Sequence, residues 1–94
     1  MIELNLPPYP YKVKQEKDKI LIFDELRRRY VTLTPEEWVR QHFVNYLISE
    51  KNYPASLMAN EAKIVLNSLV RRCDTVVYDN QLTPLMLVEY KNPE

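Results

Sequence analysis

The pattern of apolar residues after Thr34 predicts one long helix. Thr34, Pro35 and Glu37 have the spacing of a helix N-terminus, with a capping threonine, a proline in the first turn and a glutamate at the third position. The apolar residues that follow repeat with helical period and mark a stripe facing the core: Val39, Phe43, Tyr46 and Leu47. The sequence therefore predicts a helix over about residues 35–50, with Gln41 and His42 outside its buried stripe.

Short apolar runs predict strands on both sides of this helix. Residues 19–33 have the pattern of a small hairpin or a strand and turn, and three strands are expected over residues 56–66, 70–79 and 85–91. The fold class is α+β, with a long N-terminal helix packed on a mixed or antiparallel sheet. We expect a single domain over residues 1–94, in which residues 1–18 form an extended, proline-rich lead-in.

Composition narrows the classes of function. Thirteen basic and thirteen acidic residues give no net charge, which argues against binding to nucleic acid or membrane through a polybasic tail. The absence of glycine excludes glycine-rich phosphate loops, and it predicts that loops either use Asn or Asp for a positive φ or avoid that geometry. The chain has no signal peptide or membrane-spanning run and a single cysteine, so a cytoplasmic protein is expected.

The predicted strands place acidic residues side by side. If the loop at residues 79–84 sets Tyr78 opposite Leu85, Asp74 falls opposite Glu89. If Asn67-Ser68 is a two-residue turn, Glu61 falls opposite Asp74. Lys91 follows Glu89 on the same strand face.

Neighbouring carboxylates on a sheet repel each other unless a positive charge lies between them. A hard divalent cation, Mg²⁺ or Mn²⁺, suits such oxygen ligands, and with a nearby lysine the arrangement is typical of phosphodiester hydrolysis. The alternative is a sheet salt bridge, in which Asp74 pairs with Arg71, Arg72 or Lys91.

Several spaced motifs over residues 9–93 resemble the N-terminal domain of type I restriction enzyme R subunits, within the PD-(D/E)XK nuclease superfamily. These motifs are residues 33–41 (LTPEEWVRQ), Tyr53-Pro54, residues 71–79 (RRCDTVVYD) and residues 87–93 (LVEYKNP). The resemblance implies an αβββαβ core with Mg²⁺ bound by Asp74 and Glu89, Lys91 as the catalytic lysine and Glu61 as an auxiliary metal ligand.

The family pattern continues into a helix with a Gln-x-x-x-Tyr signature and a further strand, whereas this sequence stops at Glu94. We therefore expect a restriction-endonuclease-like core of αβββ type, truncated before the last αβ and either part of a longer protein or completed from elsewhere. An uncovered sheet edge would favour self-association into a homo-oligomer. The implied partners are DNA and other restriction–modification subunits, with no membrane.

Candidate DNA-phosphate contacts are Arg27, Arg28, Arg29 and Arg72, although a solvated turn also explains the first three. Two other functions compete with a nuclease. The first is a non-catalytic DNA-binding or assembly module that retains the fold. The second is nucleophilic catalysis by Cys73 with His42, against which a buried structural thiol is the simpler interpretation.

Overall fold

A computed structural model describes residues 3–91 of the chain as two three-stranded antiparallel sheets and one long helix. The elements follow one another as β1 (Val13–Glu16), β2 (Lys19–Asp24), β3 (Arg29–Thr32), α1 (Pro35–Ser49), a short 3₁₀ turn (Ala55–Leu57), β4 (Met58–Leu66), β5 (Leu69–Tyr78) and β6 (Pro84–Val88). The α+β class is confirmed.

The first sheet is larger than the sequence predicts. The expected hairpin over residues 19–33 is present as β2 and β3, but β1 pairs with β2 as a third strand. The extended lead-in therefore contains a strand, and a three-stranded sheet instead of a hairpin precedes the helix.

The β4–β5 hairpin has the predicted register. Asn67 and Ser68 form its turn with φ values of 51° and 67°, as the two central residues of a type I′ turn require. The expectation that Asn or Asp would take every positive φ is wrong, because other residue types also adopt it. The described residues with positive φ are Lys17, Arg28, Asn52, Glu61, Asn67, Ser68 and Leu82.

The β5–β6 pairing agrees with the prediction only in part. Thr75 lies opposite Val88 in the expected register, but a shift at the end of β5 sets Tyr78 opposite Pro84, so the predicted Tyr78–Leu85 pair is wrong. Strand β6 also ends at Val88. Residues 89–91 therefore lie beyond the ladder, and Glu89 is not a strand partner of Asp74.

Helix α1 begins and ends close to the predicted positions, and the Thr34 side chain accepts a hydrogen bond from the Glu37 N–H as its cap. Its buried face differs from the predicted apolar stripe. The buried helix residues are Glu37, Arg40, Gln41, His42, Val44 and Leu47. Val44 and Leu47 pack against Met58 and Val77 of the second sheet. The N-terminal half of this face is polar, and its charges are satisfied by ion pairs.

His42, predicted to lie outside the buried stripe, is buried among aromatic rings. Its ring centroid lies 4.2 Å from that of Trp38 and 4.9 Å from that of Tyr9, which fastens the lead-in to α1. Within residues 3–91, no helix combines the length and the apolar composition that crossing a membrane requires.

Candidate metal centre

A backbone irregularity in β4 directs acidic side chains toward the helix. Glu61 has φ of 54°, and the paired positions on either side are Asn60 with Thr75 and Ala62 with Cys73. Successive side chains of a regular strand point to opposite faces. Here Asn60 donates to Asp24 of β2 while Glu61 accepts from Arg40 of α1, so both point toward the same side of the sheet. Such irregularities often redirect functional side chains.

Arg40 lies at the centre of the acidic side chains. Its side chain is fully buried, and Nη1 donates to Glu37 Oε2 at 2.6 Å. The other terminal nitrogen, Nη2, lies close to three more acids: Glu36 Oε2 at 3.1 Å, Glu61 Oε1 at 3.1 Å and Asp74 Oδ1 at 3.9 Å. A buried arginine is stable only with such partners.

The three acids around Nη2 form a possible cation site. Glu36, Glu61 and Asp74 each offer a carboxylate oxygen, and these oxygens lie within 4.8 Å of one another. The group is partly exposed to solvent, most of all at Glu36, whose side chain is 44% exposed, whereas that of Asp74 is 20% exposed. An ion bound here would be reachable from solvent through the Glu36 side.

Acidic charge exceeds basic charge in the ion-pair network that surrounds this group. Five carboxylates are linked to three guanidinium groups, which leaves two negative charges in excess. The network consists of Asp24, Glu36, Glu37, Glu61, Asp74, Arg27, Arg40 and Arg72. Burial and the negative charge of Asp74 raise the pKa of Glu36. A single divalent cation would offset this excess, so the residues fit such an ion.

A chain of buried hydrogen bonds supports the acids from below. The Tyr90 hydroxyl donates to Thr75 Oγ1 at 2.8 Å, Thr75 donates to Asn60 Oδ1 at 2.6 Å, and Asn60 Nδ2 donates to Asp24. The backbone N–H of Tyr90 donates to Asp74 Oδ2 at 2.8 Å. Tyr90 therefore holds Asp74 directly, and its hydroxyl begins the chain of hydrogen bonds in which Asn60 joins the two sheets through Asp24.

The predicted site residues fall into two groups in space. Asp74 and Glu61 lie together, as the predicted β4–β5 register requires. Glu89 lies outside this cluster and its carboxylate pairs with Arg71 at 3.5 Å, while Lys91 is exposed at the end of the described chain. The catalytic and metal-binding roles of Glu89 and Lys91 stay predictions.

The predicted DNA contacts differ in how accessible they are. Arg27 is 18% exposed and pairs with both Asp24 and Glu37, so its charge is used within the protein. Arg28 and Arg29 are exposed, and Arg72 is 64% exposed beside Glu61.

The alternative cysteine site lacks a catalytic pair. Cys73 is fully buried with Ile64 and Val76, whereas His42 lies in the aromatic cluster, where its Nδ1 is 2.8 Å from the Trp38 carbonyl oxygen.

Sequence reasoning missed Glu36 and Arg40. The signal was present, since Glu36 and Arg40 are four residues apart and so lie on one side of a helix. However, an arginine that follows two acids by three and four residues is also common on exposed helix surfaces. The spacing alone therefore does not reveal that Arg40 is buried.

Comparison with known proteins identifies a family. Residues 35–94 match the profile of the type I restriction enzyme R protein N terminus. A search of curated proteins and a search of solved structures gave no match. The matched segment includes α1, the second sheet and all three acids of the candidate metal centre. Because this segment is more than half of the ninety-four residues, the chain belongs to the family of type I restriction enzyme R protein N-termini.

Proposed function

We propose that this chain is a Mg²⁺- or Mn²⁺-dependent DNA endonuclease domain of the PD-(D/E)XK kind, acting within a type I restriction system in the cytoplasm. The observation that carries the proposal is the cluster of Glu36, Glu61 and Asp74 at the junction of helix and sheet. Membership of a restriction enzyme family supports DNA as the substrate and other restriction–modification subunits as partners.

Glu36, Glu61 and Asp74 would hold the ion, with Glu89 as a further candidate from the family resemblance. When bound, a divalent ion of this type polarises the phosphate and lowers the pKa of a coordinated water. The Tyr90 N–H holds Asp74 in place as a ligand, and the buried Arg40 limits the repulsion between the acids. Lys91 would supply an ammonium group for the charge that develops on the phosphate.

The alternative function is a DNA-binding or assembly module without catalysis. One observation favours it: Arg40 Nη2 already gives all three acids a cationic partner, so the cluster can persist without a metal. The two functions differ in whether the cluster binds a divalent ion.

Calorimetric titration with Mn²⁺, followed by cleavage of supercoiled plasmid in Mg²⁺, tests the proposal. We expect saturable Mn²⁺ binding that Asp74→Asn abolishes and Glu36→Gln weakens at least about tenfold, since each removes a charged oxygen ligand. Glu50→Gln, at the exposed end of α1, is the matched control and should bind as the wild type does.

Glu89→Gln distinguishes the cluster of Glu36, Glu61 and Asp74 from the ligand set implied by the family resemblance, which includes Glu89. A loss of binding as large as that of Glu36→Gln would add Glu89 to the site. If folded wild-type protein binds no Mn²⁺, or if Asp74→Asn binds as well as wild type, the nuclease proposal fails and the assembly module is favoured.

A further inference from the structure

The outer half of the β4–β5 hairpin carries basic side chains and no acidic ones. Residues 62–73 contain three basic residues, Lys63, Arg71 and Arg72, and no acidic residue. All thirteen acidic residues therefore lie elsewhere in a chain with no net charge. A local positive segment of this kind attracts a polyanion even when the whole protein is neutral.

The end of the hairpin is apolar and exposed. Val65 is 68% exposed, Leu69 is 72% and Val70 is 70%. These residues flank the Asn67-Ser68 turn, and Val65 lies directly opposite Val70. Apolar residues at the tip of a strand pair usually pack against something, because exposed strands of this type favour aggregation.

One face of this two-stranded ribbon continues the candidate metal centre. Lys63 pairs with Arg72, two residues along each strand from Glu61 and Asp74. Val65 pairs with Val70, two residues further toward the turn. Residues two apart share a strand face. The 3.3 Å contact between Arg72 Nε and Glu61 Oε2 places the basic pair beside the acids on that face. From the metal centre outward, the face is acidic, then basic, then apolar.

We propose that this ribbon face docks on duplex DNA. This inference rests on the proposed function for the choice of DNA as partner. A two-stranded antiparallel ribbon fits the major groove, where basic side chains meet the phosphate backbone and apolar side chains meet sugars and base edges. Lys63 and Arg72 bind phosphates of the backbone that runs past the acids, and Val65 and Val70 enter the groove. At about 3.3 Å per residue, the apolar pair lies about 13 Å beyond the acids.

The exposed ion pair of Arg72 does not oppose this role. Its Nε–Oε2 distance of 3.3 Å and its 64% exposure indicate a weak, solvated pair with Glu61. Arg72 can therefore turn to a phosphate at little cost. Arg71, the strand partner of Ile64, lies on the other face of the ribbon, where it forms an ion pair with Glu89. It is therefore not part of the docking surface.

The test measures binding of the full chain to a fluorescein-labelled duplex by anisotropy, in EDTA and at several salt concentrations. EDTA removes any contribution from the metal centre. Lys63→Gln/Arg72→Gln should make the negative slope of log K against log[salt] shallower by about 1.8, or about 0.9 per phosphate contact. It should also weaken binding about 10- to 100-fold at 0.1 M salt. Lys17→Gln/Lys19→Gln removes the same charge from the β1–β2 hairpin and should leave the slope unchanged.

Val65→Thr/Val70→Thr keeps the shape and strand preference of both residues while making them polar. It should weaken DNA binding about threefold or more with an unchanged salt slope, because apolar burial does not release counterions. The inference is overturned if the Lys63/Arg72 variant has the wild-type slope, or if the wild type does not bind duplex at low salt. It is also overturned if the valine variant changes the sedimentation coefficient and not the affinity for DNA, since the face would then join two copies of the chain. DNA binding with these responses but without Mn²⁺ binding would retain the inference and reject the nuclease.

Discussion

Arg40 Nη2 lies 3.1 Å from Glu61 Oε1, and this nitrogen occupies the position between carboxylates where a cation would be expected. The same nitrogen contacts Glu36 and Asp74. Arg40 therefore does in the metal-free protein part of what a divalent ion would do, which is to hold three acids together in one place. Because a metal at this site would share these oxygens with Arg40, the strength of metal binding depends on how firmly the guanidinium is held.

Replacing this arginine should strongly destabilise the metal-free protein. In Arg40→Met the side chain keeps a similar length, but the surrounding carboxylates lose their central cation. Removing one partner of a buried ion pair costs about 3–5 kcal/mol, because the remaining charges are left uncompensated. Urea unfolding in EDTA should show this loss in the free energy of unfolding. Addition of Mn²⁺ should restore part of it, because the ion binds only the folded site.

A matched control is available in the first sheet. Arg28 pairs with Glu25 at 3.0 Å, but its side chain is 71% exposed. Arg28→Met should therefore change the free energy of unfolding by no more than about 1 kcal/mol, with no response to Mn²⁺. Equal effects of the two substitutions would show that Arg40 does not hold the acids together.

A second prediction concerns Asn60, which joins the two sheets through Asp24. Burial acts to raise the pKa of Asp24, but hydrogen bonds from Arg27 and Asn60 outweigh it and lower that pKa below its usual 3.8. Stability from Asp24 is therefore present above about pH 4 and is lost as the pH falls through the lowered pKa. Asn60→Asp would set a second carboxylate about 3 Å from the first, in the position of the Asn60 amide nitrogen.

At pH 7 we expect Asn60→Asp to lower the free energy of unfolding by about 2–4 kcal/mol, since two buried carboxylates would repel each other. The pKa of the new carboxyl is raised in the folded state, so its penalty grows as the pH rises and shrinks at acidic pH, where it is protonated. Asn60→Ala removes the hydrogen bonds without adding charge. Chemical denaturation from pH 3 to 8 should therefore show a difference between the two variants that widens with pH; parallel curves would contradict the argument.

Local patterns in the sequence predict much of this fold. The Thr34 cap sets the start of α1, and the Asn67-Ser68 turn fixes the register that places Glu61 opposite Asp74. Both signals are short-range, because capping and turn geometry depend on a few neighbouring residues. The sheet formed by β1, β2 and β3 was predicted only as a hairpin, since β1 is exposed along its whole length and has no apolar alternation.

The candidate site was harder to predict, because its geometry depends on contacts between distant segments. Arg40 is buried only because acids from α1, β4 and β5 converge on it, and no local pattern contains all of them. The positive φ of Glu61 also breaks the strand alternation from which side-chain directions were deduced. Strand β6 was predicted to extend to Lys91, but it ends at Val88. Two residues further on, the backbone N–H of Tyr90 donates to Asp74 instead of to a neighbouring strand.

Tyr90 tests how much the buried hydrogen-bond chain from Tyr90 to Asp24 contributes to stability and to metal binding. Burial raises the pKa of Tyr90 to about 12, and its hydroxyl remains a donor to Thr75. Tyr90→Phe should lower the free energy of unfolding by about 1–2 kcal/mol, because a buried hydrogen bond is lost. The backbone bond to Asp74 is kept, so the Mn²⁺ affinity should change less than about twofold. Tyr30→Phe, in the first sheet, should have a smaller effect on urea unfolding.

Lys91 gives the sharpest distinction between a ligand-binding role and a catalytic one. Lys91 follows Tyr90, whose backbone N–H holds Asp74, so it is close to the site along the chain. It is exposed and is not part of the buried hydrogen-bond network. Lys91→Met should therefore leave the free energy of unfolding and the Mn²⁺ affinity nearly unchanged. Plasmid cleavage in Mg²⁺ should fall about 10²- to 10³-fold, because a charge that stabilises the transition state is removed. Lys19→Met, at another exposed lysine in the first sheet, should cleave at the wild-type rate. If Lys91→Met cleaves as fast as this control, the ammonium group has no part in the reaction, and the acids must act with another cation.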